Sequence, residues 1–193
     1  MKARLASSIS VTLNPFTIGA AAVLLLALDA ATVGEALRWW AISLGVSMLP
    51  VLLLVLWRAR AGRARGVLTA TRRQRNAVYL AAIACAAAGY LVLSLGSGPH
   101  LLTAAFAGGL AGAILFAIIN SFWKISLHSA FAAAVATLLV LIYGGPAAVS
   151  VLLALAVGWS RLELRQHTIA QVAAGTLLAS GITLATFAIF RLL

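Results

Sequence analysis

Apolar residues run through this chain in long unbroken stretches, and the polar positions that interrupt them are few and bunched. The stretches are rich in Ala and Leu and do not alternate with period two, so they predict helices rather than strands. Spans are predicted at about 16–33, 37–57, 77–96, 101–122, 129–144, 146–159 and 169–190. Breaks fall at Gly34-Glu35, Arg58 to Arg75, Gly96 to His100, Lys124 to His128, Gly144 to Pro146 and Ser160 to His167. About 20 mostly apolar residues carry a helix across a bilayer, and lipid tolerates only backbones that satisfy their own hydrogen bonds. The pattern therefore predicts an all-α, polytopic transmembrane helix bundle of six to seven spans, a single integral membrane domain over residues 1–193.

Composition strengthens this reading. Hydrophobic residues make up 64% of the chain and charged ones 9%, too little polar surface to coat a soluble domain. Lys2 and Arg4 precede the first apolar run as in a secretory signal, but no small-residue cleavage site in a polar setting follows, which predicts a retained first helix. The lone cysteine, Cys85, falls mid-span, where a small packing role is expected. Gly108 and Gly112, four apart, and the small residues from Ala81 to Ala88 predict close helix packing.

Charge then orients the chain. Of 14 Lys and Arg residues, 12 fall on one set of alternating loops: Lys2, Arg4, Arg58, Arg60, Arg63, Arg65, Arg72, Arg73, Arg75, Lys124, Arg161 and Arg165. Arg38 and Arg191 fall on the other. Short basic loops stay in the cytoplasm, so the N-terminus and the three basic loops are expected inside the cell membrane. Trp57, Trp123 and Trp159 then sit at inner span ends and Trp39 and Trp40 at an outer one, the headgroup level that indole prefers. The net charge of +11 suits anionic lipid headgroups, whereas no fold or motif points to nucleic acid.

The basic loops also hold chemistry. They read Thr71 to Asn76 (TRRQRN), Lys124 to Ser129 (KISLHS) and Ser160 to Gln171 (SRLELRQHTIAQ). Together they supply two histidines, a lysine, serines and several arginines, with Glu163 as their one carboxylate. Metal chemistry on phosphate ordinarily draws on several carboxylates. A cationic set with two histidines suits a phosphohistidine route, with neither metal nor cofactor: one imidazole attacks phosphorus, the other handles protons, and guanidinium and ammonium groups hold the oxygens.

The ordered set resembles the type 2 phosphatidic acid phosphatase superfamily of membrane lipid phosphatases. Its motifs are a Lys followed after six residues by Arg-Pro, then Pro-Ser-Gly-His, then Ser-Arg, five residues, His, three residues, Asp. Here Ser160-Arg161 precedes His167 by five residues, with Gln171 at the Asp position. Ser126-Leu127-His128 keeps the Ser and His of the second motif, and Arg75-Asn76 stands at Arg-Pro with Leu68 at the Lys position. Arg72 or Lys124 would supply the missing cation. The resemblance covers about residues 68–175. It implies His167 as nucleophile, His128 as general acid and base, and Arg75, Lys124, Ser126, Ser160 and Arg161 as phosphate ligands. Gln171 would orient His167, with Glu163 as the alternative if its loop is helical.

The expected activity is hydrolysis of a lipid phosphomonoester or diphosphate, with the headgroup reaching the basic loops. A phosphotransferase of the same family is the related alternative. A small helical transporter or assembly protein is the non-enzymatic one, disfavoured because ionisable residues are nearly absent from mid-span positions. Arg58 to Arg65 are expected only to orient the chain, His100 to be incidental, and Asp29 to mark an interface. The identity of the lipid and the oligomeric state are not written in the sequence.

Overall fold

A computed structural model describes residues 1–30, 32–60 and 72–192, with the side chains of residues 29, 30 and 72–75 outside that description. Arg63, Arg65 and Leu68 therefore lie outside the described residues, as do the side chains of Asp29, Arg72, Arg73 and Arg75. The described chain forms helices and no strands, as the apolar pattern predicts. Among the described residues, five helical stretches are long and apolar enough to cross a membrane: Val33–Arg60, Asn76–Leu95, His100–Phe122, Gly145–Glu163 and Ile169–Ile189. The bent pair Lys2–Thr12 and Pro15–Leu28 makes a sixth if it is one span. The expected span at 129–144 is Leu127–Tyr143, an apolar helix of 17 residues that stands at the lower limit for crossing.

Helix α1 (Lys2–Thr12) is a departure from the sequence reading, which treated Met1 to Pro15 as a flank. It bends by 46° into α2 (Pro15–Ala30). The cause is local: Asn14 Oδ1 accepts from the backbone N–H groups of Phe16 at 2.8 Å and Thr17 at 3.2 Å, and Pro15 at the first helical position has no N–H to lose.

Two compact units can be distinguished, residues 23–123 and residues 1–22 with 124–193. In the first, α3 (Val33–Ser43) and α4 (Leu49–Arg60) are joined by a π-helical turn at Leu44–Met48. Pro50, two residues beyond Met48, cannot supply the i→i−4 donor, so the widened turn absorbs its ring. Ser47 Oγ, within that turn, donates to the Cys85 carbonyl at 3.1 Å on α5 (Arg72–Leu95). Helix α5 packs on α6 (His100–Phe122). A Cβ at Gly89 would lie 2.6 Å from the Phe106 ring, the close packing that the small residues of this span predict.

In the other unit, α7 (Leu127–Tyr143) packs against both α8 (Val149–Glu163) and α9 (Ile169–Ile189), and α1 packs against α8. Gly144, with φ 65°, ends α7 in a conformation that only glycine takes readily, and a 3-10 turn at Gly145–Ala148 leads into α8. Thr137 Oγ1 donates to Ser180 Oγ at 2.9 Å, a polar tie between α7 and α9.

Candidate active site

The chemistry-bearing residues of the second and third motifs gather where α7 begins, α8 ends and α9 begins, all within one compact unit. The sequence pattern puts Ser160 and Arg161 in a loop, but α8 runs on to Glu163 and carries both in its last turns. The helix then stops by a Schellman arrangement. Arg165 N–H bonds to the Leu162 carbonyl at 2.9 Å and Gln166 N–H to the Arg161 carbonyl at 3.1 Å, with Arg165 left-handed at φ 51°. This turn reverses the chain and delivers His167 to the start of α9.

There the local structure is set by a capping box. Thr168 Oγ1 accepts from Gln171 N–H at 3.3 Å while Gln171 Oε1 accepts from Thr168 N–H at 3.2 Å. The same Oε1 lies 3.1 Å from His167 Nδ1. Because Thr168 N–H can only donate, the Gln171 atom facing it is the oxygen, and the imidazole must therefore donate to it through Nδ1. A neutral ring that carries its proton on Nδ1 keeps its lone pair on Nε2.

The rest of the site surrounds this ring. His167 also lies close to the backbone of Lys124, whose Nζ donates to the Gln166 carbonyl at 3.4 Å. Burial pushes the His167 pKa down from 6.5 to about 4, aided by the positive charges of Lys124 and Arg161, while its hydrogen bond to Gln171 and the nearby Lys124 backbone pull the other way. The ring is accordingly neutral at physiological pH. His128, at the second position of α7, lies within electrostatic reach of Arg161 and His167. Arg161 is 7% exposed; its Nη1 donates to Ser10 Oγ on α1, and its buried Nε has no partner among the described residues. The buried Gln166 Oε1 likewise has none.

Ser126 and Ser160 are fully buried, and their hydroxyls have local partners. Ser126 caps α7, its Oγ accepting from Ser129 N–H at 3.5 Å and lying 2.9 Å from Ser129 Oγ. Ser160 Oγ donates to the Val157 carbonyl at 2.7 Å. Ser126 is also where α7 and α9 meet. Its N–H bonds to the Gln171 carbonyl at 3.4 Å, and a Cβ on Gly175 would come within 2.8 Å of its carbonyl oxygen. Glu163 ends α8, and the segment between it and His167 is a turn, so the helical spacing that would let Glu163 orient the imidazole is not present. Arg75 lies in α5 of the other unit, its side chain outside the described residues.

Sequence reasoning missed Ser10, Ser129 and Gln166. Ser129 and Gln166 adjoin the two histidines and were readable as neighbours. Ser10 gave no signal, because its partner is 151 positions away. Residues 119–193 match the family model of the PAP2 superfamily, the stretch that holds the second and third motifs and leaves Arg75 before it. No curated protein and no solved structure matches the chain.

Proposed function

Starting from a polytopic membrane chain whose residues 119–193 are a PAP2-superfamily segment, a phosphatase-type family, we propose that it hydrolyses a phosphomonoester or diphosphate carried on a lipid, through a phosphohistidine at His167. The observation that carries the reading is the His167 ring, neutral, partly buried, fixed through Nδ1 and flanked by the cations of Lys124 and Arg161. Its Nε2 lone pair attacks phosphorus as the bond from phosphorus to the lipid oxygen breaks, and His128 passes a proton to that oxygen. His128, now neutral, takes a proton from water; the water oxygen attacks phosphorus, the P–N bond breaks, and phosphate leaves with His167 restored.

Lys124 and Arg161 bind the equatorial oxygens, and the Nε of Arg161, without a partner among the described residues, suits such an acceptor. A phosphate dianion among these groups supplies the counter-charge that an imidazolium at His128 needs. The buried hydroxyls of Ser126 and Ser160 serve this site chiefly by holding the helix ends that carry His128 and Arg161. The phosphoryl donor is a lipid because the site stands at the ends of apolar helices, where a headgroup reaches it while the tails stay in the bilayer. By the positive-inside rule these ends face the cytoplasm of the cell membrane, where the basic loops also meet anionic headgroups.

Phosphate release by purified protein from phosphatidate, phosphatidylglycerol phosphate and a polyprenyl diphosphate tests the reading. At least one should be hydrolysed in the presence of EDTA. His167→Ala should lose about 10³-fold in rate or more and His128→Ala about 10²-fold or more. Full release by the His167 variant would rule out the mechanism.

A further inference from the structure

Helix α1 is polar enough that its place in the fold calls for an explanation. It buries Ala6 and Ser10 against the rest of its unit and leaves Lys2, Arg4, Leu5, Ser7, Ser8, Val11 and Thr12 exposed. Ser10 is 8% exposed, and its hydroxyl oxygen receives Nη1 of Arg161, the arginine adjoining Ser160 in the third motif. Guanidinium groups buried to this extent are rarely left without an acceptor, since each unpartnered N–H there costs its full desolvation. The neighbouring Nε has no partner among the described residues. The guanidinium is thus held at one nitrogen and open at another. Ser10 is a neutral acceptor, so it fixes the group without neutralising the charge, whereas a carboxylate there would compete with an incoming phosphate.

We propose that Ser10 is a positioning residue for the phosphate site: the N-terminal helix α1 holds the Arg161 guanidinium through the Ser10 hydroxyl, with Nε left for a phosphoryl oxygen. This rests on the phosphatase reading above and adds a part to it. The role belongs to the second nitrogen of a group that must hold one geometry while charge builds on the phosphoryl oxygens. A guanidinium swinging between rotamers binds a ground-state phosphate nearly as well, but meets the transition state less often. The loss on removing the hydroxyl therefore appears mainly in kcat and in the affinity for a transition-state mimic.

The test uses the purified full-length protein and orthovanadate as a mimic of the phosphoryl group in transfer. Ser10→Ala should lower kcat about tenfold with KM changed less than about threefold, and should weaken vanadate inhibition about tenfold. Ser10→Thr, which keeps the hydroxyl, should stay within about threefold of wild type, while Ser10→Val, of the same shape without it, should behave as Ser10→Ala. The Thr and Val pair decides the matter if the alanine variant fails to fold. In an Arg161→Lys background the Thr and Val variants should no longer differ in vanadate inhibition, because the hydroxyl acts through the guanidinium. A purely structural role would lower the thermal midpoint of Ser10→Val and leave the vanadate sensitivity of the folded fraction at the Thr value; that result overturns the proposal while the phosphatase reading stands. A wild-type protein that neither releases phosphate nor is stabilised by vanadate overturns both.

Discussion

At His167 a single side chain, Gln171, decides the tautomer of the imidazole and partly offsets the burial and nearby cations that disfavour a positive ring. Its amide oxygen accepts a hydrogen bond from Nδ1–H at 3.1 Å but adds no charge, where the resembled family's motif has Asp. Burial, aided by the charges of Lys124 and Arg161, holds the ring's pKa at about 4, below the ordinary 6.5, and the neutral amide offsets this only in part. Restoring the acid should reverse this. Gln171→Asp should raise the His167 pKa by about 1–3 pH units, followed by NMR titration of the ring protons, and should increase kcat, because a carboxylate stabilises the imidazolium-like ring formed on phosphorylation. No change in either would remove Gln171 from the site. The wild-type profile carries a signed prediction. Above about pH 4 the nucleophile is neutral and competent, so kcat/KM limited by this group should stay level from pH 7 down to about 5 and fall only as pH drops through about 4. A fall centred near 6.5 would mean an ordinary, solvated histidine. The five-residue spacing from Ser160-Arg161 to His167 and the four-residue step to Gln171 made this much legible in the sequence. The Arg161 partner at Ser10 was not, since a contact across 151 residues leaves no local pattern.

Among the elements, the site depends on how closely α9 approaches the start of α7. That approach is set at Gly175, where an added Cβ would meet the Ser126 backbone carbonyl at 2.8 Å. A carbonyl inside a capped helix start cannot swing aside as a side-chain tip can. Gly175→Ala should therefore destabilise the protein by about 1–3 kcal/mol and, by moving Gln171 and His167 away from Ser126 and His128, cut phosphate release about tenfold or more. Unchanged thermal midpoint and rate would show that α9 has slack. Most spans were legible because lipid exposure imposes long apolar runs, as in Val33–Arg60 and Ile169–Ile189. Helix α1 was not, because Lys2, Arg4 and three serines in its first nine residues carry no membrane pattern; it is held by packing against α8. The end of α8 was misjudged for a related reason: Ser160, Arg161 and Glu163 read as loop, yet their polar atoms stand at a helix end where a backbone turn at Arg165 completes the cap.

On the scale of the whole molecule, the sequence pattern assigns 12 of 14 basic residues to one set of alternating loops, which the positive-inside rule expects in the cytoplasm. The helix ends that bear Lys124, His128, Arg161 and His167 belong to that set, and the turn at Gly145–Ala148 belongs to the other. In a Cys85→Ala background, Arg165→Cys should react with a membrane-impermeant thiol reagent only from the cytoplasmic side and Ala148→Cys only from outside; the opposite pattern would invert the assignment. Orientation decides which leaflet supplies the substrate, but the central claim is the covalent step. Its most direct test is a rapid acid-free quench of the protein turning over a lipid labelled in its phosphate, followed by peptide mapping. The account predicts an alkali-stable, acid-labile phosphoryl group on His167 that disappears in His167→Ala; steady phosphate release with no label on His167 at any quench time would contradict it.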